Sequence, residues 1–206
     1  IIIEDNVGDP VRYFLYPKSS GNRINHVYHL SVLSSEFNVN LKKINKVFEF
    51  GGGYGCMARI FSKINKEISY TCFDTNYINL LQYYYLRQNN LNVGFKKKNN
   101  YFLISNFPKN KNFLLKKFYN HFFIANWSLS ETPIKFREQF FKIIENSKFV
   151  LISFQEYFEG IDNLSYFSKL KKKLEKKFHI KILKNPYYKG NIFRRQNHYF
   201  LIGKKL

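Results

Sequence analysis

The chain has 206 residues, with 34 Lys and Arg against 14 Asp and Glu and a formal net charge of +20. Its 45% apolar and 19% aromatic content is core material, not a disordered segment, and the length suits a single domain over 1–206. Two cysteines exclude a disulfide framework, no apolar run reaches the ~20 residues of a membrane helix, and Ile1-Ile2-Ile3 followed by Glu4-Asp5 is no signal peptide. Cys56 and Cys72 therefore read as reduced core or near-site thiols of a cytoplasmic protein. The first residue is Ile, not Met, which fits a chain trimmed upstream.

Residues 22–37 place Ile24, Val27, Tyr28 and Val32 on one helical face. With the residues before it, this helix forms an N-terminal cap or lid over 1–40. Val47–Phe50 is a buried strand that runs into glycines, and a helix follows at about 56–64. Ile68–Phe73 alternates and is rich in strand formers. The helix at about 76–89 turns Ile78, Leu81, Gln82 and Tyr85 inward. Val93–Phe95 is a short strand, and Phe102–Ile104 is a candidate for another. Phe122–Ala125 is a buried strand. Thr132-Pro133 opens a helix to about Glu145, with proline in its first turn. Phe149–Ile152 is a strand, 163–177 a helix, and Ile180–Leu183 and Tyr199–Ile202 are strands joined through Asn185–Gly190. Alternating strand and helix specify a parallel α/β sheet with right-handed crossovers. The last two strands have no helix between them and should pair antiparallel.

Glu49-Phe50-Gly51-Gly52-Gly53-Tyr54-Gly55 puts glycines at alternate positions between a strand and a helix. Glycine is required where φ is positive or where a ligand lies against bare backbone. The dinucleotide fingerprint Gly-x-Gly-x-x-Gly fits imperfectly, since Cys56 holds its third glycine position, and no Gly-Lys-Ser/Thr ending follows. Asp74 lies about twenty residues beyond the glycines at the tip of the next strand. An acid there is placed to accept hydrogen bonds from two ribose hydroxyls; the alternative is that it caps the following helix.

The acid-opened glycine spacing resembles motif I of the class I S-adenosylmethionine-dependent methyltransferases. Glu49–Arg59, Asp74, Leu81-Gln82-Tyr83-Tyr84-Tyr85-Leu86 and Ala125-Asn126-Trp127-Ser128-Leu129-Ser130-Glu131 together resemble the sugar O-methyltransferase family, from about Ile44 onward. Phe158–Asn163 and Asn197-His198-Tyr199 are similar in kind. Two positions depart from the family pattern: Cys56 replaces a glycine, and Thr75-Asn76 replaces Leu-Pro. The resemblance implies a Rossmann-like, doubly wound, mostly parallel seven-stranded sheet with an antiparallel C-terminal strand. It implies S-adenosylmethionine as cofactor, and a sugar, nucleotide sugar or glycan as methyl acceptor in polysaccharide biosynthesis.

Sites in open α/β sheets lie beyond the carboxyl ends of the strands. That rule and the resemblance give the cofactor-binding set Glu49, Gly51, Gly52, Gly53, Tyr54, Gly55, Asp74, Thr75 and Asn126. Gln155 and Glu156 fall in the same region. Trp127 offers a flat face for stacking, Ser128 a hydroxyl, and His29 on the lid helix a third substrate contact. Glu131 is the first candidate for general base, against a role in capping the helix that follows, and His198 is the second. His26, His121 and His179 read as structural. No His/Asp/Glu cluster has ligand spacing, so no metal is assigned.

Lys96-Lys97-Lys98, Lys116-Lys117, Lys171-Lys172-Lys173 and Lys176-Lys177 carry much of the charge. The last two groups read as a solvated helix face, with Leu170, Leu174 and Phe178 inward. Nucleic acid or protein methylation remains an alternative, as does a catalytically silent cofactor-binding homologue. Asn126-Trp127-Ser128-Leu129 lacks the Asn/Asp-Pro-Pro-Tyr/Phe loop of base N-methylation.

Overall fold

A computed structural model describes residues 1–96, 98–106, 118–187, 190–191 and 194–206. Lys97, the Lys116-Lys117 pair, and Tyr188 and Lys189 of the last connection lie outside the described residues. Contacts divide the chain into two compact units, Ile1–Phe107 and Pro108–Leu206.

The first unit opens with a hairpin of β1 (Arg12–Tyr13) and β2 (Tyr16–Ser20), followed by α1 (Gly21–Phe37). Then come β3 (Lys46–Phe50), α2 (Cys56–Ile64), β4 (Ser69–Phe73), α3 (Asn76–Gln88), β5 (Val93–Gly94) and β6 (Tyr101–Ile104). Its four sheet strands lie in the order β3-β4-β6-β5, all parallel. Parallel strands are covered on both faces and so read as nearly continuous apolar runs; Val47, Phe48, Tyr70 and Cys72 are all buried.

Two helix faces differ from the periodicity. Helix α1 buries Arg23, His26, His29, Leu30 and Leu33, not Ile24, Val27, Tyr28 and Val32. Charge explains the rotation. Arg23 Nη1 pairs with Glu4 at 2.9 Å and Asp5 at 3.1 Å, and Asp5 pairs onward with Arg59 at 2.9 Å and Lys63 at 3.0 Å on α2. Ser20 caps α1 by accepting from the Arg23 amide. Helix α3 buries Asn79, Gln82, Tyr85 and Leu86, while Leu81 faces solvent.

The second unit contains β7 (Phe122–Asn126), a 3₁₀ turn (Ser128–Glu131), α4 (Ile134–Glu138), α5 (Phe141–Glu145) and β8 (Phe149–Gln155). A short hairpin of β9 (Tyr157–Phe158) and β10 (Ile161–Asp162) leads into α6 (Asn163–Leu174) and β11 (Phe178–Lys184). A second short pair, β12 (Gly190–Asn191) and β13 (Arg194–Arg195), precedes β14 (His198–Lys205). Sheet order here is β11-β14-β8-β7, with β7 and β8 parallel and β14 antiparallel to both of its neighbours.

The architecture is mixed α/β and mostly parallel, with the expected antiparallel ending. Four sheet strands in each unit exceed the seven expected because β5 and β6 are separate, adjacent strands. The helix expected from Thr132 to Glu145 is two, α4 and α5. It breaks where Arg137 and Phe140 are both drawn fully inward. Helix α6 ends at Leu174, and Phe178 is buried as the first residue of β11. No described helix is long and apolar enough to cross a membrane.

Candidate functional site

The turn after β3 is built from backbone. Gly51, Gly53 and Gly55 have φ of +69°, +55° and +101°, a region that side chains disfavour. The Gly51 amide donates to Phe73 O at 2.8 Å, carrying the β3–β4 ladder one residue past the end of β3. The Gly55 amide donates to Gly52 O at 3.0 Å and closes the turn. Gly52 is glycine for a different reason: a Cβ there would lie 2.6 Å from Cys72 Sγ and 2.7 Å from Glu49 Oε2. Above Gly53 the space is open, with nothing within 4 Å of a Cβ position. Helix α2 starts at Cys56 with no side-chain cap, so its first amides end at the turn uncovered.

Glu49 supports this turn from below. It is 1% exposed, and its Oε2 accepts from Tyr70 OH at 2.7 Å. Burial pushes its carboxyl up to about 7, against the Tyr70 hydrogen bond. Tyr54 ties the turn to its surroundings. Its hydroxyl accepts from Asn22 Nδ2 at 3.3 Å, at the start of α1, and its ring meets Tyr85 of α3 edge-on at 4.9 Å. Burial pushes the Cys56 thiol up to about 12, so it is no nucleophile.

Asp74 follows β4 and reaches back to the turn. Its carboxylate accepts from the Thr75 amide at 2.8 Å and from Gln82 Nε2 at 3.1 Å. Burial raises its carboxyl above the ordinary range, and those donors oppose the rise. Capping of α3 falls to Thr75, whose Oγ1 accepts from the Ile78 amide at 3.4 Å. The capping alternative for Asp74 is thus taken by its neighbour. His29 lies fully buried on α1 between His26 and Tyr28, each ring 6.2 Å away.

The loops at the strand ends of the second unit are built from side chains. Asn126 ends β7 and accepts from Ser153 Oγ at 3.2 Å. Trp127 has φ +59°, a costly conformation for so large a residue. It is held there because its amide donates to Ser153 O at 2.8 Å and its indole Nε1 donates to His198 Nδ1 at 2.9 Å. An indole N–H only donates. The Nδ1 lone pair of His198 is therefore engaged, and the neutral ring carries its proton on Nε2. Burial also pushes this imidazole down to about 4. His198 is thus poorly disposed to take up a proton.

Beside it runs a connected polar chain. Gln155 Nε2 donates to Glu131 Oε1 at 3.4 Å, and Ser130 Oγ donates to Gln155 Oε1 at 2.7 Å. Asn163 Nδ2 donates to Gln155 O at 3.0 Å. Arg137, 1% exposed, donates to Thr132 O at 2.6 Å, Asn163 Oδ1 at 2.7 Å and Ser130 O at 2.7 Å. No described acid pairs with it in an ion pair. Helix α4 has no side-chain cap, so Glu131 is held by Gln155 and not by a capping hydrogen bond. Burial raises the Glu131 carboxyl, opposed by Gln155. Arg137 and Asn163 were not among the sequence candidates; one hint was an arginine at an inward position of the helix after Thr132. Ser128 opens the 3₁₀ turn. No described group of three or more His, Cys, Asp or Glu could hold a metal ion.

Both clusters lie at the carboxyl ends of parallel strands in their own unit, and the fold is the Rossmann-like fold of class I methyltransferases. The methyltransferase domain of a bacterial Hen1 protein is similar, at 14% identity and TM-score 0.60, covering 89% of this chain and 98% of that one. A precorrin-6y C5,15-methyltransferase from Geobacter metallireducens matches at 12% identity and TM-score 0.58, covering 100% of each chain. Fibrillarin, a pre-rRNA processing protein of Methanococcus jannaschii, matches at 13% identity and TM-score 0.55, covering 81% of this chain and 69% of that one. No protein-family model and no curated protein matches the chain.

Proposed function

We propose that this protein is an S-adenosylmethionine-dependent methyltransferase whose acceptor is a hydroxyl of a sugar or glycan. One observation carries the reading: a turn of three glycines at positive φ, open above Gly53, next to the acid that follows the neighbouring strand. The fit to the cofactor rests on that geometry. Backbone lies bare above Gly53, and a half-buried carboxylate beside it suits two vicinal hydroxyls. The cofactor would supply an activated methyl group on a sulfonium. In this reading Asp74 holds the ribose and Gly51–Gly55 lie against the amino-acid portion.

Transfer requires alignment of the acceptor oxygen and removal of its proton. Glu131 is the base in this reading, since its raised carboxyl is better matched to a hydroxyl than an ordinary carboxylate. Gln155 orients it. Ser128 and Trp127 hold the acceptor, and His198 fixes the indole. The net charge of +20 favours a second reading, a nucleic-acid acceptor, since lysines neutralise phosphates. Incubation with methyl-labelled cofactor and a panel of nucleotide sugars, glycans and RNA separates the two. Label on a sugar hydroxyl is expected. Label on RNA alone would give the second reading, and calorimetry showing no cofactor binding would reject both.

A further inference from the structure

Helix α3 is inverted in its polarity. Its inward side carries Asn79 and Gln82 beside Tyr85 and Leu86. Tyr77, Leu80, Leu81 and Tyr84 stand outward at 85, 58, 47 and 57% exposure. Positions i, i+3, i+4 and i+7 share one helical face, so these four form a continuous apolar stripe. Tyr83 and Phe95 flank it, both exposed and stacked at 5.7 Å. A monomer gains nothing from exposing such a surface.

Two properties narrow what covers it. First, the stripe is uncharged. Between Ile68 and Leu86 the only charged side chain is Asp74, in a chain of net charge +20. A nucleic acid or an anionic membrane would be gripped by a rim of lysines on both sides; α3 offers only Arg87, beyond the end of the stripe, and lysines follow only at the Phe95 flank, with Lys96 and Lys98 exposed. A second +20 molecule, by contrast, can approach only where like charges are missing. Second, the stripe reads the same in both directions, Tyr77-x-x-Leu80-Leu81-x-x-Tyr84. In an antiparallel two-fold packing such a face sets like residue types opposite one another, Tyr on Tyr and Leu on Leu.

We propose that α3 is the isologous interface of a homodimer, with the two-fold axis passing between Leu80 and Leu81. Antiparallel packing then sets Tyr77 against Tyr84 of the second copy, and Leu80 against its Leu81. The exposed surface of the four stripe residues with Tyr83 and Phe95 amounts to about 650 Å², most of the ~800 Å² that one partner buries in a standard interface. The assignment does not depend on the reaction catalysed.

Sedimentation equilibrium of the full chain over a range of concentrations tests it. The wild type should have twice the chain mass. The Leu80→Asp, Leu81→Asp double variant sets four like charges around the axis and should weaken self-association by about 100-fold or more. Tyr77→Ser removes no buried contact and should weaken it by about tenfold. Circular dichroism should show both variants folded, since the replaced side chains are exposed. A wild type monomeric throughout would overturn the proposal, as would a dimer that both variants leave intact. So would a monomer that co-sediments with phosphatidylcholine–phosphatidylglycerol vesicles and loses this in the double variant.

Discussion

In the turn after β3, the shape comes from backbone: three positive φ angles, one bond to Phe73 O and one that closes the turn on Gly52 O. In the loop after β7, the shape comes from side chains drawn from distant positions, with Ser130, Arg137, Gln155 and Asn163 joined through hydrogen bonds. The first device is local and tolerates no added Cβ at Gly52. The second is assembled only once β8 and α6 are in place. A ligand that needs bare backbone suits the first, and an acceptor that needs oriented polar groups suits the second.

The contrast is tested most severely at Glu131. Glu131→Gln keeps the contact with Gln155 available but removes the basicity, so turnover should fall about 10²–10⁴-fold with cofactor affinity unchanged. Normal single-turnover rates would assign Glu131 to the loop's structure alone. Arg137→Met removes three hydrogen bonds to buried acceptors and should cost about 3–4 kcal/mol of stability. Arg137→Lys should rescue little, because one ammonium cannot reproduce the planar fork; chemical denaturation measures both. Asp74→Ala should weaken cofactor binding by about 2–4 kcal/mol through two lost bonds to a charged acceptor, and Asp74→Asn by less. Titration calorimetry reads this, and an affinity within twofold would remove the ribose role.

The smallest effect concerns Glu49. Its carboxyl, raised to about 7, is protonated in the fold at pH values where the unfolded chain has already lost that proton. Its contribution to stability is therefore full below pH ~4.5 and is lost as pH rises to ~7, by at most about 3 kcal/mol. Glu49→Gln should flatten that slope and melt higher than the parent at pH 8. Identical slopes in the two proteins would show that Glu49 is already ionised in the fold.

The succession of strands and helices along the chain, the antiparallel ending and the glycine turn were legible because each is written in neighbouring residues. Alternation marks β4, and glycines at fixed spacing mark positive φ. Faces were harder to read. Apolar periodicity in α1 pointed to Ile24 and Val27, but the Glu4–Arg23 pair turns the helix another way, and no local signal announces a partner nineteen residues upstream. In α3 the polar side faces inward. Gln82 is drawn in by Asp74, and the outer apolar stripe defeats any rule that equates apolar with buried. Trp127 could be placed at the end of β7, but not its φ of +59°, which depends on Ser153 and His198.

Strand β14 lies between β8 and β11, although residues 178–184 precede 198–205 in sequence. On the ribosome, the four sheet strands of the first unit are all available once Ile104 has emerged. The second unit must hold β8 and β11 apart, each with an open hydrogen-bonding edge, until residues 198–205 are synthesised. Pairing that spans so much sequence is slow to form, and unpaired edges invite aggregation. The second unit is therefore the half whose open strand edges stay exposed longest during translation.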